Sequence, residues 1–417
     1  MIARAAMLSD PDYDHLFAGS PLRRRRPCIL ITAVLVSILA FAALVQLSLF
    51  VAMRPDVVRV FIRALILSTV LASVPLAVLW FLDRRERERP WLFAAAFLWG
   101  GCIATALALP FNTAFFTAVD HWVAQNPTVT DVLGPDAALL LAAPISAPIV
   151  EETAKALGVL VLFWLLQAEF DNVRDGIVYG ALIGLGFNWF EAALYVAQGY
   201  AEYGVPPYGL QLGFRYSLFG LGGHTMFTAI FGAFVGFAVQ TRHAWLRILA
   251  PIAGLSLAIA AHMLNNALPL IMAITAAGAG EQPQAQEPLP DIGFLEAFIA
   301  GSVTQLVIFL PFIVMVAILV WRSGVWERLV IRDELASEVG RSLTADEYQD
   351  VISDNMLHTR RIDGLRPRAS AALVNAQHEL AFRKRRVKDR QRDPDADPLV
   401  ASWRQNIQLL RTNARPA

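Results

Sequence analysis

Eight apolar stretches, each about 20 residues or longer, succeed one another along the chain at roughly 28–53, 60–82, 91–109, 138–166, 174–198, 214–239, 245–275 and 294–321. Lipid leaves no water to satisfy exposed backbone groups, so stretches of this length must close their own hydrogen bonds as helices. The expected fold class is therefore all-α: a polytopic integral membrane helical bundle of about eight transmembrane helices. The chain is 56% hydrophobic and 17% charged, with a mean hydropathy of +0.49, which is too apolar for a water-soluble protein of this length. The first run is longer than a signal-peptide core and has no convincing small-residue cleavage site, so it is expected to remain as an anchor.

The arginines set the orientation. Arg23 to Arg26, the run Arg84, Arg85, Arg87 and Arg89, then Arg174, Arg242 with Arg247, and Arg322 onward fall in alternate connections. The intervening segments 110–137, 199–213 and 277–293 contain no Lys or Arg, and only Arg54 in the short first turn runs against the pattern. The positive-inside rule then puts both termini in the cytoplasm of a multi-pass protein of the cell membrane. Segments 110–137 and 278–291 read as loops, with 114–125 able to lie as an interfacial helix. The chain divides into a cytoplasmic segment 1–27, a membrane domain 28–321 and a charged helical tail 322–417 with breaks near Leu365–Pro367 and Pro394–Pro398. The tail's run Arg383, Lys384, Arg385, Arg386, Lys388 and Arg390 is either a contact for anionic lipid of the bilayer or a solvated helix end. The net charge of zero supplies no reason to expect nucleic acid as a partner. Cys28 and Cys102 lie in apolar runs and form no disulfide framework.

The ionisable residues inside the spans carry the functional information. The fourth span contains Glu151, Glu152 and Lys155 within five residues, although one charge at mid-span costs about 2.5–3.5 kcal/mol even on the lenient insertion scale. Helical spacing brings Lys155 to both glutamates. A bundle-holding Glu–Lys pair would account for one carboxylate and leave the second over, free for general acid or base work. In the fifth span Gly176, Gly180 and Gly184 form a packing stripe, and Glu191 follows on nearly the same face with Asn188 and Tyr195 placed to hydrogen-bond it. The sixth span carries His224, and the seventh carries His262 and Asn266 one turn apart. A single buried histidine is usually a satisfied core residue; two beside glutamate-bearing spans point to chemistry. If Pro144 starts the fourth helix, the polar groups share a level in the outer half of the membrane. A glutamate to activate water, a histidine to orient it and hydrogen-bond donors for an oxyanion suffice for amide hydrolysis. The chain has no Gly-x-Ser-x-Gly elbow and no phosphate-binding Gly-rich loop.

In order, Glu151-Glu152-x-x-Lys155, Phe187-x-x-x-Glu191 with Tyr195, His224-x-x-Phe227-Thr228-Ala229 with Gly232, and His262-x-x-x-Asn266 resemble the motifs of the PrsW family of intramembrane proteases, over about residues 90–275. The resemblance implies a glutamate-type intramembrane endopeptidase, related to the CAAX prenyl protease and bacteriocin-processing superfamily, in a bacterial cell membrane. It implies Glu151 as general base, Glu152 and Lys155 as its electrostatic partners, His224 and Glu191 as water-positioning groups, and His262 with Asn266 as oxyanion donors. It implies no cofactor and no metal. The substrate it implies is a membrane-anchored protein, for example an anti-sigma factor-like regulator. The wider superfamily usually has arginine where Lys155 stands and histidine where Glu191 stands. Three other readings remain open: a zinc protease using His224, His262 and a glutamate, a proton-coupled transporter, and a non-catalytic membrane scaffold.

Overall fold

The computed structural model describes residues 20–85, 89–167, 170, 172–280, 293–353, 362 and 364–414. The N-terminal residues to 19, Arg87 and most of the 278–291 connection lie outside the described residues. Among those described there is no strand, only an isolated bridge between Val339 and Leu343. In the membrane domain the helices are α1 (Arg25–Ala52), α2 (Pro55–Leu82), α3 (Pro90–Ala124, with a π turn at Trp99–Ala104), α4 (Ser146–Leu165), α5 (Val173–Tyr203), α6 (Tyr208–Gly220), α7 (His224–Gln240), α8 (Ala244–Gly278) and α9 (Phe294–Leu335). The tail adds α10 (Ala345–Ile352), α11 (Pro367–Asp389) and α12 (Pro398–Ala414). The protein is a polytopic helical membrane bundle. Among the described residues six helices, α1, α2, α3, α5, α8 and α9, are each long and apolar enough to cross a membrane. The expected eight is reached only by adding α4, which carries three charged residues, and α7, which has 17 residues.

Three boundaries differ from expectation. The segment 110–137 is largely helical: α3 continues through Pro110 to Ala124, and a short helix follows at Pro127–Leu133. No Gly or Pro interrupts the chain between Pro110 and Asn126-Pro127, and the residue before a proline is disfavoured in a helix, so α3 stops there. The fourth span begins as a short helix at Ala137–Ala142 and restarts at Ser146 after Pro144. The sixth span is broken at Leu221–Gly223, because Gly220 (φ +73°) and Gly223 (φ +56°) take left-handed backbone that a helix cannot continue.

Helix α5 is buried along nearly its whole length. Its glycine stripe lies directly on the backbone of α7: a Cβ at Gly184 would stand 2.1 Å from the His224 carbonyl oxygen, and one at Gly180 2.3 Å from that of Thr228. Such backbone contact replaces the hydrophobic drive that lipid does not provide. It also fixes the height of His224 against Glu191. A Cβ at Gly232 would lie 1.8 Å from the Gly176 carbonyl oxygen, so Gly232→Ala is expected to push the helices apart at a cost of about 1–3 kcal/mol. The detergent-solubilised variant should melt at a lower temperature; an unchanged melting temperature would refute the close approach.

Helix α9 continues past the compositional break at Arg322 to Leu335. The tail has its own core, with Leu335, Leu373, Leu380, Val400 and Ile407 buried together. Glu338 sits inside it; burial would raise its pKa, but hydrogen bonds from Arg404, Lys384 and Ser342 outweigh that and bring it down to about 2. Arg85 and Arg174 converge on Glu327 of α9 at 3.1 and 2.8 Å, which ties the end of the bundle to the helix that leads into the tail.

Candidate active site

Four helices deliver their ionisable side chains to one buried cluster. Lys155 is fully buried and its Nζ lies 2.6 Å from Glu152 Oε1, 3.8 Å from Glu151 Oε2 and 2.7 Å from His224 Nδ1. Its ammonium also stands 4.1 Å over the ring of Phe187. An ammonium only donates, so His224 Nδ1 accepts, and the other ring nitrogen, Nε2, donates to Glu191 Oε2 at 2.8 Å. His262 is stacked on Phe227, with ring centroids 4.8 Å apart, and its Nδ1 lies 3.0 Å from Glu152 Oε1. Asn266 Nδ2 lies 3.2 Å from His262 Nε2 and 3.2 Å from the Ala143 carbonyl oxygen, which the break before α4 frees from helical bonding. All seven residues singled out in the sequence, Glu151, Glu152, Lys155, Glu191, His224, His262 and Asn266, thus belong to one connected set.

The breaks in the helices shape the electrostatics. His224 is the first residue of α7, so the positive end of that helix begins at the residue whose ring lies 3.9, 3.7 and 2.8 Å from Glu151, Glu152 and Glu191. Without the left-handed turn at Gly223, that end would lie further back along the span.

Several partners differ from the sequence reading or were absent from it. Glu191 is bonded by Arg215 Nε at 3.0 Å as well as by His224. Asn188 instead donates to Thr225 Oγ1 and to the carbonyls of Arg215 and Gly222, and Tyr195 lies against the Arg215 guanidinium, 4.6 Å from its ring centroid. Asn188 therefore holds the α6–α7 turn rather than the glutamate. Arg215 could have been found as an arginine inside an expected span. Asn112 of α3 donates to Glu151 Oε1 at 3.0 Å, and nothing in the sequence marked it, since that segment read as a loop. Thr228 reaches Glu152 Oε2 at 3.4 Å. Glu151 Oε2 is buried and has no hydrogen-bond partner in the protein.

Glu151, His224 and His262 bring one donor atom each within 4.8 Å of one another, and one carboxylate with two imidazoles is a zinc-type donor set. A tetrahedral ion with bonds of roughly 2.0–2.1 Å needs donors about 3.4 Å apart. Here both nitrogens of His224 are held by Lys155 and Glu191, and both of His262 by Glu152 and Asn266. The Lys155 ammonium stands against two of the three, 2.7 Å from His224 Nδ1 and 3.8 Å from Glu151 Oε2. The residues as arranged do not fit a metal ion.

Comparison with known proteins gives a consistent family. The chain is 32% identical to Protease PrsW of Geobacillus kaustophilus (strain HTA426) over 112 residues, which are 26% of this chain and 45% of that relative. The match thus spans less than half of the relative's length. No solved structure matches the chain. The PrsW family, described as intramembrane metalloproteases, matches residues 88–318, a stretch that contains every residue of the buried cluster. More than half of the sequence is covered in this way, and the chain belongs to the PrsW family.

Proposed function

We propose that the chain is an intramembrane protease that hydrolyses a peptide bond of a membrane-anchored protein with a water activated by Glu151. The observation that supports this most is the asymmetry of the Glu151 carboxylate. One oxygen is fixed by Asn112, while the other is buried, has no protein partner and lies 3.8 Å from Lys155 and 3.9 Å from His224. That oxygen is the one placed to accept a proton from water. Glu151 takes the proton as the water oxygen attacks the carbonyl carbon, and returns it to the departing amine nitrogen as the tetrahedral species collapses. Lys155 and the N-terminus of α7 supply the positive field for the negative charge that develops.

Three carboxylates, Glu151, Glu152 and Glu191, face two permanent cations, Lys155 and Arg215. An uncompensated buried charge is expensive, so a neutral set holds one further proton, and hydrolysis needs one mobile proton. Glu152 orients Lys155 and His262, and Glu191 with Arg215 orients His224. Asn266 spends both amide hydrogens on His262 and Ala143, so in this arrangement it acts as a positioning residue for His262. The substrate class carried by the resemblance is a membrane-anchored regulator of the anti-sigma type.

The experiment is a comparison of membrane proteomes from a wild-type strain and a Glu151→Gln strain. A single-span protein should accumulate uncut in the second; no accumulation of any such protein would count against the proposal. A metal-dependent alternative is carried by the family description, intramembrane metalloproteases. Purified protein should cleave that substrate in the presence of strong chelators and hold less than stoichiometric zinc. Stoichiometric zinc together with loss of activity on chelation would replace the glutamate mechanism with the metal one.

We also place both termini on the cytoplasmic side of the cell membrane, on the alternation of arginines. A reporter joined after Gly278 should be labelled from outside and one at the C-terminus should be protected. The reverse pattern would invert the topology.

A further inference from the structure

Ser146 opens α4, and Glu151 follows on the same helix. Asn112 of α3 bridges the two: Ser146 Oγ donates to Asn112 Oδ1 at 2.8 Å, and Asn112 Nδ2 donates to Glu151 Oε1 at 3.0 Å. Ser146 and Glu151 are both buried, and Asn112 is half-buried between them.

Donor and acceptor chemistry sets the direction of both bonds. An ionised carboxylate only accepts, so the Asn112 amide turns its Nδ2 toward Glu151 and its Oδ1 toward the serine. Among the described residues the Ser146 hydroxyl makes this one hydrogen bond. Turning the amide over would leave the buried hydroxyl hydrogen without an acceptor, an unfavourable state away from water. The serine therefore holds the amide the same way round even when Glu151 is no longer charged.

That state arises during hydrolysis. One O–H bond of the water breaks, its proton goes to Glu151 Oε2, and the water oxygen bonds to the carbonyl carbon. The same proton later passes to the amine nitrogen as the C–N bond breaks. Between the two steps Glu151 is a neutral acid carrying one O–H. With a freely turning amide, Asn112 Oδ1 could accept that hydrogen from Oε1, the oxygen that does not face the water. With Oδ1 held by Ser146, only a donor faces Oε1, and the proton has its place on Oε2.

We propose that Ser146 is a positioning residue which, acting through Asn112, keeps the transferred proton on Oε2 of Glu151; this rests on Glu151 being the base.

The test uses the full-length protein in detergent and, as substrate, the single-span protein that accumulates uncut in the Glu151→Gln strain. Ser146→Ala should lower kcat about three- to tenfold, the net contribution of one neutral hydrogen bond, with KM unchanged and the protein still folded. Ser146→Thr keeps the hydroxyl and should recover most of kcat. Asn112→Leu also removes the bond to the carboxylate and should lower kcat by about tenfold to a hundredfold. A second readout needs no substrate: the side-chain amide signal of Asn112 in protein carrying isotopically labelled asparagine, recorded by NMR. It is identified by its absence in Asn112→Leu or, should that variant misfold, in Asn112→Gln. Ser146→Ala should move this signal toward that of solvent-exposed asparagines, and Ser146→Thr should leave it in place. Unchanged kcat in folded Ser146→Ala, an effect on KM alone, equal losses in the alanine and threonine variants, or an amide signal indifferent to Ser146→Ala would each overturn the proposal. If no protein accumulates in the Glu151→Gln strain, the proposed mechanism fails, and the amide signal still decides whether Ser146 orients Asn112.

Discussion

Glu151→Gln is expected to lower cleavage of a single-span substrate by about 10²–10⁴-fold, the range lost when a positioned general base is removed, while the protein remains inserted and folded. Glutamine keeps the shape of the side chain, and its carbonyl oxygen can still accept from Asn112. Its amide group then occupies the position of the unpartnered oxygen, where it can no longer take a proton from water. Turnover by purified protein in detergent, measured beside its melting temperature, separates this chemical loss from unfolding. Full activity in the variant would remove Glu151 from the mechanism. The same loss with a collapsed melting temperature would reassign it to a structural role.

Lys155→Met tests the other half of the cluster. Its ammonium is fully buried and is the nearest cation to both Glu151 and Glu152. Removing one member of a buried pair leaves the other charge uncompensated, which costs about 3–5 kcal/mol. Replacing both members by neutral groups is often close to neutral for stability. Lys155→Met alone should therefore melt far below the wild type, and the double variant with Glu152→Gln should recover much of the difference without recovering activity. A single variant as stable as the wild type would mean that the cluster balances its charge without the lysine. Recovery of activity in the double variant would mean that Lys155 serves packing alone.

Both results depend on how much of the cluster each level of description could reach. The cost of placing Glu151, Glu152, Lys155, Glu191, His224 and His262 in apolar spans was visible in the sequence, because a charge in hydrocarbon needs a reason wherever the helix sits. The glycine stripe on α5 was visible for a similar reason: period-four glycines have no use in a helix except close approach. Asn112 was not visible, since its value comes from the prolongation of α3 past Pro110 and from the approach of α3 to α4. Arg215 stood in an expected span, yet its partner could not be inferred. That required the break at Leu221–Gly223, which separates α6 from α7, and the packing that brings Arg215 of α6 to Glu191 of α5.

The unequal roles of adjacent carboxylates were also beyond the sequence. Glu151 and Glu152 are neighbours in the chain, and spacing alone offers both of them to Lys155. Tertiary contacts separate them: Glu152 is held by Lys155, His262 and Thr228, whereas Glu151 is held on one oxygen only. The tail gives the same lesson. Its basic run is six cations in the sequence, and only the folded tail decides that Arg383 meets Asp397, Lys384 meets Glu338 and Lys388 meets Glu334.

The sequence by itself determined that this protein is a helical membrane bundle with costly ionisable groups in its spans, because hydrophobic length and helical period act locally. Which of those groups meet, which carboxylate oxygen stays without a partner and where the helices break were decided only by tertiary structure. Those properties come from distances between residues tens of positions apart, set by glycine-mediated backbone contact and by left-handed turns whose consequences appear only when the helices pack.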